Sequence, residues 1–404
     1  MFQKTYSRWA FMALLAVSGV SVQADELDDL KAMLNEALQR IEQLENQQNE
    51  IAVNQEEIVV VQETIVEQVE NSASSQLAQW AERTTIGGYG ELHWNNTDEK
   101  KEIDLHRFVL FFGHQFTDEL RFFSEIEIEH NVAGDGKNGE VEVEQAYIEY
   151  DINDSNRVAG GVFLLPVGIL NQTHEPNTFY GVERNNVEKN IIPSTWWEAG
   201  VMFSGEFSEG FSYDLALHSG LKAEKNGVFT YKPRDGRQKA SKAAADDGAA
   251  TARVKYTGMP GLELAATVQY QGDMTQGDSS TDKAQAMLWE THIVYNHGPF
   301  GLRALYADWD IDSRDAKAKG RDKQDGWFVE PSYRINQKWG VFTRHSRWDN
   351  DAGSSFDTEY EQTDLGVNYW PIEQVVIKLD WIDLDAPTGK DDNEGFNLGI
   401  GYQF

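Results

Sequence analysis

The chain of 404 residues contains no cysteine, so it can build neither a disulfide framework nor a thiolate metal site. Proline is sparse at nine residues, and positive charge is scarce: 35 Lys and Arg stand against 67 Asp and Glu, a formal charge of −32 at pH 7. A chain of that sign has no general electrostatic attraction for nucleic acid. Beyond the first residues, no stretch approaches the ~20 apolar residues of a membrane-spanning helix. The mean hydropathy is −0.55. A helical membrane protein is thereby excluded, but a membrane barrel is not, because half of every barrel strand faces water. Aromatic side chains, in contrast, make up 12% of the residues. That is high for so polar a chain and suits the aromatic girdles of a barrel.

Residues 1–24 read as an export signal. Lys4 and Arg8 give a positive start, Phe11 to Val20 are almost wholly apolar, and Val22-Gln23-Ala24 is a small-residue cleavage pattern before Asp25. The apolar run is too short to span a bilayer, and a retained interfacial anchor is the alternative reading. Cleavage removes two positive charges and makes the chain more acidic still. Acidic loops at a bacterial surface suit divalent cations, or lipopolysaccharide bridged by them.

Residues 25–72 carry an apolar repeat of period near 3.5. Its a and d positions are Leu27, Leu30, Leu34, Ala37, Ile41, Leu44, Gln48, Ile51, Gln55, Ile58, Gln62, Ile65 and Val69, in alternating steps of three and four. Such a helix would reach roughly 70 Å at 1.5 Å per residue. Gln48, Gln55 and Gln62 at a would fix register, and β-branched d residues favour three strands over two. The expectation is a periplasmic, trimeric coiled coil, with a solvated single helix or a disordered spacer as the alternatives. Residues 73–83 read as a polar linker.

From Thr84 the period becomes two. In the last strand Phe396, Leu398, Ile400, Tyr402 and Phe404 share one face, and Asn397, Gly399, Gly401 and Gln403 the other. Sixteen strands are predicted, starting near Thr84, Ile103, Glu119, Glu140, Asn156, Trp197, Phe211, Thr251, Gly261, Ala284, Pro299, Gly326, Gln337, Glu359, Ile372 and Gly395. Tight turns, such as Thr117-Asp118, His297-Gly298 and Trp370-Pro371, alternate with long polar connections. Strict alternation of that kind is the mark of an up-and-down barrel with periplasmic turns and outer loops; a Greek-key sandwich would not produce it. The fold expected is therefore all-β: a 16-stranded antiparallel transmembrane β-barrel over residues 84–404, preceded by an α-helical coiled coil.

The segments Gly88-Tyr89-Gly90-Glu91, Glu144-Gln145-Ala146-Tyr147-Ile148-Glu149-Tyr150 and Gly161-Val162-Phe163-Leu164-Leu165-Pro166-Val167-Gly168, followed by the long stretch Asn171 to Trp197, resemble the phosphate-selective porin O and P family. The resemblance implies a trimeric sixteen-stranded porin in the outer membrane, with one loop folded inward to narrow the pore. The best-known members place a ladder of arginines and clustered lysines in the channel. Here the inward cations are scattered (Arg121, Arg303, Arg334, Arg344 and Lys378) and are interleaved with Glu125, Glu127, Glu129, Glu149, Glu263, Glu290 and Asp380. Phosphate selectivity is not carried over.

A sixteen-stranded barrel is too wide for wall side chains to fill, so selectivity should rest with whatever constricts it. Loop 166–196 is the candidate, because Ile169, Leu170, Phe179, Ile191 and Ile192 are more apolar than an exposed loop requires. It also brings Glu175, Glu183, Arg184, Glu188 and Lys189, charges of both signs that could act on passing ions. Arg121, Glu125, Glu127 and Glu129 fall on one face of a strand and should point inward, which suggests a preference for cations. Loop 222–250, with Lys222, Lys225, Lys232, Arg234, Arg237, Lys239 and Lys242, reads either as a mobile loop or as an attractor for anions at the mouth.

No nucleophile elbow, phosphate loop, metalloprotease pair or metal-ligand spacing is present. The reading is a passive porin for ions and small hydrophilic solutes, without catalysis, cofactor or metal. The alternative is an anchor whose coiled coil tethers the outer membrane to peptidoglycan or another periplasmic partner.

Overall fold

The computed structural model describes residues 31–48 and 80–404, apart from 134, 135, 137, 138 and 278–281. The export signal over 1–24 and most of the repeat, including residues 49–72, lie outside the described residues. Residues 31–48 are helical and exposed throughout, Leu34, Ile41 and Leu44 among them. The helix agrees with the repeat. Residues 80–82 add a helical turn where the composition suggested only linker.

The rest is one barrel of sixteen strands. They are β1 (Thr84–Thr97), β2 (Lys101–Gln115), β3 (Leu120–Glu129), β4 (Val141–Asn153), β5 (Asn156–Leu164), β6 (Trp197–Ser208), β7 (Phe211–His218) and β8 (Ala249–Tyr256). The second half is β9 (Leu262–Gln271), β10 (Gln285–His297), β11 (Phe300–Asp312), β12 (Lys323–Arg334), β13 (Trp339–Asp349), β14 (Tyr360–Ile372), β15 (Val375–Asp385) and β16 (Asn393–Gln403). Each pairs antiparallel with its neighbours, and β1 pairs with β16 to close the sheet. Closure leaves no edge strand, so every ladder group is bonded within the wall. The amide of Phe404 donates to Gly88 O at 2.9 Å and the amide of Gly88 donates to Phe404 O at 3.0 Å, so the last residue seals the seam.

Alternation decides which way each side chain points. Ile103, Ile126, Leu217, Trp289, Leu379 and Ile400 are exposed on the outer face. Their neighbours in sequence, Glu125, Glu127, Glu290 and Lys378 among them, are buried on the inner one. This is the arrangement lipid outside and polar groups inside require. Two turns differ from the sequence reading. His297 ends β10, and the turn is Gly298-Pro299. Pro371 lies inside β14 at a register irregularity, where its missing N–H breaks no ladder bond, and Glu373-Gln374 makes the turn.

Candidate functional site

The inner wall is not uniform. Across β10–β12 it carries an apolar patch: Leu288, Leu305, Trp309, Ile311 and Phe328 are buried there. Loop 166–196 lies against this surface. Val187, Ile191 and Ile192 are fully buried in the same cluster, and Trp309 Nε1 donates to Ile191 O at 2.9 Å. Desolvating these side chains against the wall supplies the drive, and directed bonds fix the position. Val182 N donates to Asp380 Oδ2 at 2.5 Å, Asn186 Nδ2 to Gln362 Oε1 at 2.8 Å, and Arg107 Nη2 to His174 O at 2.6 Å. Glycines in β16 make room for the loop. A Cβ at Gly401 would stand 2.4 Å from Pro176 Cβ, and one at Gly399 would stand 3.1 Å from Val182 Cγ1.

Several residues expected to line the pore act instead beneath this loop. Arg344 is 2% exposed and paired with Glu330 at 3.2 Å and Asp364 at 3.0 Å. Arg303 donates to Thr178 O. Lys378 is buried with its Nζ 3.6 Å from the centre of the Phe179 ring, and Arg334 stacks on Trp370 at the same distance. Glu188 does not face water. It is fully buried; its Oε1 accepts from the amides of Ile169 at 2.7 Å and Leu170 at 2.6 Å, and its Oε2 from Asn185 at 2.8 Å. Burial pushes its carboxyl up, against those bonds. Arg303, Arg344 and Lys378 point inward as alternation requires, but the loop covers them.

Opposite the apolar wall, β1–β4 are acidic. Glu91, Glu125, Glu127 and Glu144 are buried there, with Glu91 held by Arg107 Nε at 2.5 Å. Glu129, Glu142 and Glu144 line a cavity of about 300 Å³ together with Arg184, Lys189, Arg234, Arg237 and Lys239. Glu183 also lines it, accepting from Asn95 Nδ2 at 3.1 Å and lying 3.2 Å from His93 Nδ1. The basic loop 222–250 packs onto the inward loop and lines this cavity. Tyr231 within it, and Leu221 just before it, are fully buried. Arg234 donates to Ser194 O at 2.9 Å and Arg237 to Thr195 O at 2.5 Å, so two of its cations are laid onto the inward loop. Burial, then the nearby Arg237 and Arg184, push Arg234 down to about 10, which leaves it charged at neutral pH.

Below lies a wider cavity of about 910 Å³, lined by Arg121, Asp151, Arg157, Asp214 and Arg253. There Arg121 pairs with Glu149 and, at 2.6 Å, with Asp151. Glu175 opens on a third cavity beside His174 and Gln172. On β9 and β10, Glu263 and Glu290 both contact His292, at 3.2 and 2.6 Å.

Three groups of acidic and histidine side chains could hold a metal ion. In one, Lys239 Nζ already sits 2.5 Å from Glu140 and from Glu142, beside Glu129. In the second, His106 and His130 are both spent on Asp104 Oδ2, at 3.3 and 2.7 Å. The third joins Glu125, Glu144 and His174, all buried.

A closed sixteen-stranded barrel with apolar residues outside, charged residues inside and a loop laid across its lumen is an outer-membrane porin, a channel for passive diffusion of ions and small solutes. The profile of the phosphate-selective porin O and P family matches residues 86–404. The chain belongs to that family, whose members reside in the Gram-negative outer membrane. An uncharacterized protein of Aquifex aeolicus (strain VF5) is 31% identical over 363 residues, covering 82% of each chain. Among solved structures, the anion-selective porin from Comamonas acidovorans superposes with a TM-score of 0.56 at 12% identity, covering 80% of this chain and 99% of that one. The trimer form of in-vitro folded OmpT from Vibrio cholerae gives 0.54 at 12% identity, with 80% and 99% covered. At such identities these two speak for the fold.

Arg107, Glu144, Arg234 and Arg237 were missed as site residues. In β2 a bulge at His106 lets Leu105 face out and Arg107 face in, which breaks the period-two reading. Arg234 and Arg237 gave only a compositional signal.

Proposed function

We propose that solutes cross this porin through an eyelet bounded on one side by the acidic wall of β1–β4 and on the other by cations of the two inward loops. The observation that carries the reading is the charge of both signs around one cavity of about 300 Å³: Glu129, Glu142 and Glu144 from the wall, and Arg184, Arg234 and Arg237 from the loops. Opposed charges at close quarters set a field across the path, which orients dipolar solutes and separates ions by sign. With a chain charge of −32, cations are favoured in the wide sections above and below. Phosphate selectivity is not part of the reading, since Arg107, Arg121 and Arg344 are each engaged by carboxylates. Transport needs no covalent chemistry and no catalytic residue.

The working form is a homotrimer embedded in outer-membrane lipid and lipopolysaccharide, with the helix over 31–48 as part of a periplasmic three-stranded stalk. Support comes from the uncovered stripe Leu34, Ile41 and Leu44, which neighbouring copies would bury, and from the trimer form of the Vibrio cholerae barrel. A peptidoglycan tether would use the same stalk. Reversal potentials across a salt gradient in planar bilayers test the eyelet, and clear anion preference would overturn it. Deleting residues 25–72 should leave conductance intact while weakening the heat-sensitive trimer on gels.

A further inference from the structure

Where β3 and β4 meet the inward loop, Glu125 Oε1, Glu144 Oε2 and His174 Nε2 lie within 4.8 Å of one another. The three side chains are 1%, 1% and 3% exposed. Glu125 points inward by simple alternation. Glu144 arrives through a β-bulge: Glu125 pairs with Gln145 and Ile126 with Val143, so Glu144 is the extra residue and can turn inward beside Gln145. His174 is delivered by the loop, its carbonyl held by Arg107.

The hydrogen bonding around the group does not close. His174 Nδ1 lies 3.2 Å from the carbonyl oxygen of Asn171. A carbonyl only accepts, so Nδ1 carries a proton; in the neutral ring the lone pair, on Nε2, then faces the carboxylates. Nε2 stands 3.4 Å from Glu125 Oε1 and 3.5 Å from Glu144 Oε2. Neither Nε2 nor Glu144 Oε2 has a hydrogen-bond partner among the described residues. Two buried carboxylates and a neutral imidazole turned on one another need a positive centre between them, which is either a second proton on the ring or a metal ion. The separations are long for hydrogen bonds, whose N···O distances cluster near ~2.9–3.0 Å. They match the ~3.3–3.5 Å between two ligands of a tetrahedral ion with bonds of about 2.0–2.1 Å.

The surroundings are those of a metal centre. Gln145 Nε2 donates to the second oxygen of Glu125 at 2.6 Å, and Asn171 O fixes the histidine tautomer, which is how outer-shell groups orient ligands. A cavity of about 390 Å³, lined by Glu125, Gln145, Gln172, His174 and Glu175, lies beside two of the three and has room for a water as fourth ligand. One imidazole with two carboxylates suits a borderline divalent ion and not magnesium or calcium, which take oxygen alone.

We propose that Glu125, Glu144 and His174 bind a divalent transition-metal ion of the zinc class, which clips the inward loop to the barrel wall. The claim does not depend on the channel's ionic preference. The test uses the full chain, purified without an affinity tag and stripped with chelator, titrated with Zn²⁺ by calorimetry and with Co²⁺ by visible absorption. One saturable ion per chain and the intense bands of tetrahedral Co²⁺ are expected. Glu144→Gln and His174→Ala should each weaken binding by at least ~10-fold, in barrels that still show heat-modifiable migration. His345→Ala, on the outer face, should not. Should His174→Ala fail to fold, the isosteric Glu144→Gln carries the test. Absence of saturable binding would overturn the proposal and leave a shared proton as the positive centre. Unchanged affinity in Glu144→Gln would also overturn it, as would loss of the ion in His130→Ala, which would move it to the Asp104 group.

Discussion

Two sides of one lumen behave differently. Across β10–β12 the inward residues include the apolar patch Leu288, Leu305, Trp309 and Phe328, and the loop packs on it. Across β1–β4 they are Glu91, Arg107, Glu125 and Glu127. There the loop touches the wall through polar contacts such as His174 O with Arg107 and Glu183 with Asn95. The same alternating pattern that makes a wall also decides, by the chemistry of its inward row, where a loop can dock. Apolar inward residues in a wide barrel are a binding surface for its own loop. That asymmetry, more than strand number, sets what the channel presents to a solute.

The contrast can be broken most severely at the apolar side. Trp309→Ala removes a fully buried ring and the donor to Ile191 O. It should cost about 3–5 kcal/mol and free the loop, seen as larger, noisier single-channel conductance and a lower temperature of heat-modifiable unfolding. Arg344→Ala strands Glu330 and Asp364 without their buried partner. A loss of comparable or slightly smaller size, about 3 kcal/mol, is expected by the same melting measurement. Gly401→Ala puts a methyl into Pro176 and should cost roughly 1–3 kcal/mol. Its test is conductance, which should change while ladder bonding, read by circular dichroism, does not. The smallest effect belongs to the charged side: Arg234→Gln with Arg237→Gln should leave stability nearly unchanged and move the reversal potential further toward cations. An unaltered reversal potential would show that the field at the eyelet does not sort ions.

How legible this was in the sequence varies by element. All sixteen strands were found, with starts within three residues of those observed, because lipid outside and water inside enforce a strict two-residue period. The apolar content of loop 166–196 was also visible, since Ile169, Leu170, Ile191 and Ile192 have no reason to be exposed. The inward direction of Arg303, Arg344 and Lys378 could be read, but not that the loop would cover them. Where a bulge adds a residue, as at His106 and Glu144, alternation pointed the wrong way. The search for ligand spacing along the chain found no metal site, because Glu125, Glu144 and His174 come from two strands and a loop.

The amino-acid order alone determined the barrel, its strand count and its two faces, since these follow from local periodicity and the solvent each face meets. Only the folded chain decided which inward residues meet water and which meet the loop. That choice depends on contacts between segments far apart in sequence, such as Trp309 with Ile191 and Arg107 with His174. Such contacts are set by how volume and hydrogen bonds are shared inside a closed ring, which no repeat in the chain records.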